Sequence, residues 1–274
     1  MLKKFTDLTF SDDFIFGKVL TKDMELTREL LELLLNKPIK EVKLSEAQKS
    51  LKETYTSKGI RLDVYVKDAD NTVYDVEMQT TLAKDLSKRM RYYQDIIDLN
   101  LIESGSKYAD LRESYIIFIC LQDPFFKNLP VYTFRNVCKE APGLLLNDAT
   151  TKVVINVSGK KDGLSDKMKA LFYFLENQIA TDDFTPKIAN KVEEAKSSST
   201  LEVDYMSISS MIMEQRWEGE QIGMQKGIQE TIKKMVTGLR KTCMEDTEIV
   251  NFLLENYNLS ISEAQEYLNI TKNK

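Results

Sequence analysis

Two short segments of alternating character, Ile60–Val66 (IRLDVYV) and Val73–Gln79 (VYDVEMQ), set the tightest limit on how this chain folds. A period of two puts Ile60, Leu62, Val64 and Val66 on one face of the first segment and Tyr74, Val76 and Met78 on one face of the second. Arg61, Asp63 and Tyr65, and Asp75, Glu77 and Gln79, fall on the opposite faces. The turn residues Asp68-Ala69-Asp70-Asn71 stand between the segments, so the pair reads as a β-hairpin. A slip of one residue would send every apolar side chain to the wrong side, so the register pairs odd with odd around a five-residue loop centred on Asp70. That register predicts Asp63 directly across from Glu77. Like charges on cross-strand neighbours, with Cβ atoms about 4.5 to 5.5 Å apart, are destabilising unless a cation stands between them. Spacing leaves two readings open. One is a hard divalent ion such as Mg²⁺, which takes carboxylates, a backbone carbonyl and waters, with Gln79 pointing the same way. The other is a wet polar face on which Asp63 and Glu77 are solvated or paired with Arg61 or Lys58.

Around this hairpin the pattern alternates between helix and strand. Helical spacing from Ser11 to Asn36, with a break near Thr21, predicts two short helices or one bent one ahead of Pro38. A strand is expected at Ile39–Leu44 and a helix over Leu86–Glu103, closed by Gly105. Tyr115–Leu121 is a short continuous apolar run of the kind buried on both faces of a sheet, and Val131–Cys138 and Val153–Val157 read as further strands. Ser165 is a candidate N-cap for a helix through Leu175, and Phe184–Lys196 is helical in pattern. The serine cluster Ser197–Ser199 is the candidate boundary, dividing a domain of residues 1–199 from a helical region of residues 200–274. That region reads as a long helix through Met211, Ile222 and Met235, then short helices around Ile249–Leu254 and Ser262–Leu268. Ser260 and Glu263 have the spacing of a capping box. Gly219, Gly223 and Gly227 line one side of the long helix, and the region carries −4 of the chain's formal charge of −5. A long helix with little to bury locally takes a partner, so a homo-oligomer through the C-terminal helices is expected.

Composition removes whole classes of chemistry. The chain contains no histidine, which excludes Ser-His-Asp and Cys-His catalysis and His-ligated zinc. Cys120, Cys138 and Cys243 are odd in number and far apart, which speaks against a disulfide framework or a thiolate zinc site and for a reducing cytoplasm. The net charge of −5 is wrong for a generically basic nucleic-acid coat, so any DNA contact has to come from local patches. No apolar run is long enough to span a bilayer, and no membrane association is expected.

Four stretches together resemble one known family. Asp13-Phe14-Ile15-Phe16 with Lys18 is similar to its opening helix motif, and Leu62-Asp63-Val64 and Val76-Glu77-Met78-Gln79 to its two active-site strands. Arg91-Tyr92-Tyr93, followed by Gly105 and Lys107-Tyr108-Ala109-Asp110-Leu111, is similar to its next helix and the entry to a buried strand. The family is the PD-(D/E)XK nuclease superfamily and, within it, the Rpn group of recombination-promoting, transposase-like nucleases; the resemblance spans roughly residues 5 to 200. It implies an α/β, restriction-endonuclease-like core, a mixed sheet flanked by helices, with a helical C-terminal extension. It implies that Asp63, Glu77 and the Met78 backbone carbonyl hold Mg²⁺, or Mn²⁺ or another divalent ion, for hydrolysis of DNA phosphodiesters in recombination, mobile-element or phage-defence biology. The wider superfamily has a lysine where this chain has Gln79. An amide is no general base near neutral pH, so Gln79 is expected to orient the nucleophile. Accessory candidates are Asp13, Lys58 as a substitute cation, and Tyr92. Lys84, Lys88, Arg89 and Arg91 form a candidate stripe for the DNA backbone. The alternative is a weakly active or inactive nuclease fold that serves as a DNA-binding or assembly module.

Overall fold

A computed structural model of the protein describes residues 3–51, 60–102, 105–257 and 259–272. Its chain divides into two compact units, Met1–Tyr205 and Met206–Lys274. The first opens with α1 (Asp13–Lys22) and α2 (Met24–Leu35), two helices as the spacing predicts. They separate at Asp23, whose side chain accepts the Leu26 N–H at 2.9 Å and so starts α2. Thr21, where the break was expected, stays helical with its hydroxyl bonded to the Gly17 carbonyl. α2 ends on Asn36, which adopts the left-handed conformation with φ of 49° just before Pro38.

Six strands follow in one mixed sheet: β1 (Val42–Leu51), β2 (Ile60–Asp68), β3 (Val73–Gln79), β4 (Ser114–Cys120), β5 (Val131–Phe134) and β6 (Thr150–Asn156), in the spatial order β1-β2-β3-β4-β6-β5. β1, β2 and β3 are antiparallel, β3, β4 and β6 run parallel, and β5 returns antiparallel to β6. This is the mixed α/β sheet expected of the chain. Three strands differ from their sequence patterns: β6 starts at Thr150 instead of Val153, extended by its pairing with β4. β1 starts at Val42 instead of Ile39 and, after a register shift between Val42 and Leu44, continues through the polar stretch to Leu51, because pairing with β2 carries it there and cross-strand bonding overrides weak β-propensity. β5 stops at Phe134 instead of Cys138, where its partner β6 reaches Lys152; Val137 bridges to Leu145 instead.

Helix α3 (Leu86–Leu101) follows β3; the predicted end of this helix, Glu103, lies outside the described residues. Its Leu86, Met90 and Ile97 pack on the sheet face that carries Tyr65, Val73, Ile116, Phe118, Cys120 and Val154. α1 lies on the other face. A Cβ added at Gly17 would stand 3.0 Å from that of Ala47, the cross-strand partner of Val64, so a side chain there would push the helix off the sheet. α4 (Asp166–Asn177) begins at its expected cap, the Ser165 hydroxyl accepting the Met168 N–H, and α5 (Thr185–Lys196) follows.

The long helix α6 (Ser199–Lys241) starts in the first unit and continues into the second, followed by α7 (Asp246–Tyr257) and α8 (Ile261–Lys272). Ile232 and Val236 of α6, Ile249 and Leu253 of α7, and Ala264 and Leu268 of α8 form a separate small core. The expected capping box is formed, with the Ser260 N–H donating to Glu263 Oε2 at 2.7 Å and the Glu263 N–H returning to the Ser260 hydroxyl. No helix among the described residues is long and apolar enough to cross a membrane.

Candidate active site

Backbone pairing of β2 with β3 runs from Lys67↔Val73 to Val64↔Val76. One step further, the same register sets Asp63 across from Glu77, as the alternation predicts. At this step side chains take over from the backbone ladder. The Asp63 N–H donates to Glu77 Oε1 at 2.8 Å, and the Met78 N–H donates to Asp63 Oδ2 at 3.1 Å. Each acid thus caps the opposite strand. Because N–H and C=O of one strand residue leave on the same side, the Met78 carbonyl also opens toward Asp63. Gln79 instead turns its carbonyl to β4, where it accepts the Leu121 N–H at 3.0 Å.

On the polar face of the hairpin Asp75 and Glu77 are buried, while Asp63 and Gln79 are half-buried. Asp75 is 0% and Glu77 3% exposed, since α3 lies over β3 and the parallel neighbour β4 closes its far side. Asp75 is thus shut off from solvent, and the wet-face alternative for Glu77 is corrected. Among the described residues no donor reaches either Asp75 oxygen. Its polar neighbour is the Glu77 carboxyl, itself an acceptor, and the two bond only if one of them holds a proton. Burial, and then the Glu77 charge, push the Asp75 carboxyl well above the usual carboxylate range. Burial, followed by the Asp63 charge, pushes Glu77 up to about 8.

Among the described residues, Arg89 is a cation beside Glu77. Arg89 Nη2 stands 3.7 Å from Glu77 Oε2, Nη1 donates to Gln79 Oε1 at 2.7 Å, and Nη2 donates to the Tyr93 hydroxyl at 3.2 Å. Its guanidinium lies over the ring of Phe118, 5.2 Å from the centroid. Burial works against its charge, and Tyr93 and Glu77 outweigh that cost, so its pKa is raised. Gln79 is fixed at both ends, its Nε2 donating to the Thr81 carbonyl at 2.6 Å.

The expected positive stripe is therefore not one surface. Lys84, Lys88 and Arg91 are exposed, whereas Arg89 turns inward, because successive helix positions differ by about 100° and position 89 shares the buried side with Leu86, Met90 and Tyr93. That i, i+4 pairing of Arg89 with Tyr93 was the available sequence signal for this cation. Tyr92 is half-buried against the same core. Asp13 stands exposed at the first turn of α1, whose packing side faces the sheet surface opposite to α3. Lys58 lies outside the described residues. Among the described residues, no three His, Cys, Asp or Glu side chains converge as a ready-made metal cage.

A family model described as PD-(D/E)XK nuclease family transposase matches residues 5–178, a span that takes in α1, the whole sheet and α3. No curated protein matches the chain.

Proposed function

Since the chain belongs to the PD-(D/E)XK nuclease family of transposases, we propose that it is a divalent-metal-dependent DNA endonuclease whose metal-binding oxygens are Asp63, Glu77 and the Met78 carbonyl. The observation that carries this reading is the exchange of backbone bonds between the two acids at the point where the β2–β3 ladder ends. It fixes both carboxylates and turns a backbone carbonyl toward them. The donor set fits a hard divalent ion: all oxygen, from two carboxylates and a backbone carbonyl, with Arg89 beside Glu77. Behind Glu77, the oxygens of Asp75 are acceptors that no donor among the described residues satisfies.

A bound Mg²⁺ or Mn²⁺ would supply Lewis-acid stabilisation of phosphate charge and make water more acidic. The chain's own residues do the rest. Arg89, held between Gln79 and Tyr93, presents a delocalised cation beside Glu77, where charge builds on the phosphate in the transition state. Gln79 is a positioning residue: it takes no proton, and it sets the guanidinium where the superfamily's lysine would otherwise bring charge. Lys84, Lys88 and Arg91 contact the DNA backbone and supply affinity without reading sequence. The setting is recombination, mobile-element or phage-defence biology.

The second unit acts in self-association. Met206, Met213, Trp217, Met224 and Ile228 lie exposed along α6 at near-helical repeat, and Gly219, Gly223 and Gly227 have open space around them. A second copy would cover this apolar side.

The test is nicking of supercoiled plasmid by the full chain with Mg²⁺ or Mn²⁺, against EDTA and against Asp63→Ala and Glu77→Ala. Cleavage that needs both metal and both acids supports the proposal. Cleavage by Glu77→Ala at the wild-type rate, with contaminating nuclease excluded, removes the site assignment.

A further inference from the structure

The loop that leaves β4 contains an anomaly. Phe126 has a φ of 55°, the left-handed region that bulky side chains avoid, and its ring is 77% exposed. An aromatic residue is costly there on both counts, since the positive φ strains a bulky residue and the ring is left in solvent. The surrounding structure nonetheless imposes this conformation. The Asp123 carboxylate accepts the Phe125 N–H at 2.9 Å, the Asn128 N–H at 2.6 Å and the Tyr132 hydroxyl at 2.8 Å. The buried Asn156 donates from its amide to the Leu129 carbonyl at 2.9 Å, and the Lys160 N–H donates to the Asn128 carbonyl at 3.1 Å. Gly159 lies so close that a Cβ there would come within 2.7 Å of the Leu129 oxygen. The loop is tied at each end, and Phe126 stands at its tip.

Its position relative to the acids follows from the topology. The loop begins at Leu121, whose N–H is bonded to the Gln79 carbonyl. Phe125, next to the tip, packs into the core on the α3 side of the sheet, the side of Asp75, Glu77 and Arg89. Lys84 and Lys88 after β3, Lys127 beside Phe126, and Lys160 after β6 are all exposed at this same carboxyl end of the parallel strands, with Asp85 and Asp162 among them.

We propose that Phe126 is a DNA-contacting residue whose ring stacks on a base of the strand held at the Asp63–Glu77 site, so that the substrate is DNA with an accessible base, single-stranded or locally opened. Exposed aromatic rings beside basic side chains bind bases in this way, and a π-face accepts any base, which gives affinity without sequence preference. The basic rim selects nucleic acid over an apolar partner, and rigid attachment spares the ordering cost that a mobile loop would add. This inference rests on the nuclease reading above.

The test is steady-state cleavage of a gapped or forked oligonucleotide by the full chain, with Phe126→Ala, Phe126→Trp and Phe126→Gly. Loss of one base–aromatic stack corresponds to about a 5- to 150-fold change in affinity. Phe126→Ala is expected to raise KM about tenfold with kcat within about twofold. Phe126→Trp restores KM. Phe126→Gly melts at a higher temperature than wild type, because glycine suits the positive φ, yet binds as poorly as Phe126→Ala. A KM unchanged in Phe126→Ala while wild type cleaves overturns this inference and leaves the nuclease reading standing. An unchanged KM with a smaller particle mass in light scattering overturns it in favour of a protein contact. A wild-type chain that neither binds nor cleaves DNA with divalent metal overturns both.

Discussion

Glu77→Gln removes one buried charge while keeping an amide oxygen able to accept the Asp63 N–H, so it isolates electrostatics from geometry. In the metal-free wild type, Glu77 titrates near 8, raised first by burial and then by Asp63. Unfolded, it titrates near the ordinary glutamate value of about 4.3. Between these values the native state holds a proton that the unfolded chain has lost, so stability falls as pH rises, by up to about 1.4 kcal/mol per pH unit. From pH 5 to 8 the loss reaches about 4 kcal/mol, a large share of the roughly 5 to 15 kcal/mol that holds a typical domain together. Asp75 titrates in the same sense, so Glu77→Gln should flatten the profile without levelling it. The assay is urea unfolding with EDTA across pH 5 to 8, followed by far-UV circular dichroism and tyrosine emission. The single tryptophan, Trp217, lies in the second unit and reports on that unit instead. Added Mg²⁺ should restore wild-type stability at pH 8 and leave Glu77→Gln unmoved. Parallel profiles for the two proteins would refute the burial argument.

Asp63→Ala should reduce plasmid nicking more than about 100-fold, since it deletes a proposed ligand along with the acceptor of the Met78 N–H. Single-turnover cleavage measures this. Gln79→Ala should cost less, about tenfold, because Tyr93 still holds Arg89, and Gln79→Lys should remain partly active; a titration of rate against Mg²⁺ checks both. A chain ended after Tyr205 should lose self-association in light scattering while keeping the first unit's fold, whose last residue is anchored by the Tyr205 hydroxyl on the Lys3 carbonyl.

Whatever depended on near neighbours was legible in the residues. Alternation in Ile60–Val66 and Val73–Gln79 specified both the hairpin and its register, because a one-residue slip exposes an entire apolar face. The caps at Ser165 and Ser260–Glu263 are equally local, a side chain bonding a backbone group three residues away. The candidate acids Asp63 and Glu77 could be named and placed opposite each other on this basis. Their environment could not. Whether a strand's polar face is wet or dry depends on what covers it, and here the cover is α3, a helix whose own residues do not announce that Asp75 and Glu77 lie beneath it. For the same reason Arg89 read as one of four surface cations. Its inward turn follows from which side of α3 the sheet selects, and only packing makes that selection. The length of β1 was likewise decided by its partner strand. Periodicity and capping act within a few residues and survive in the sequence; burial, and the shifts in acidity that follow from it, come from layers brought together across the chain and exist only in the folded protein.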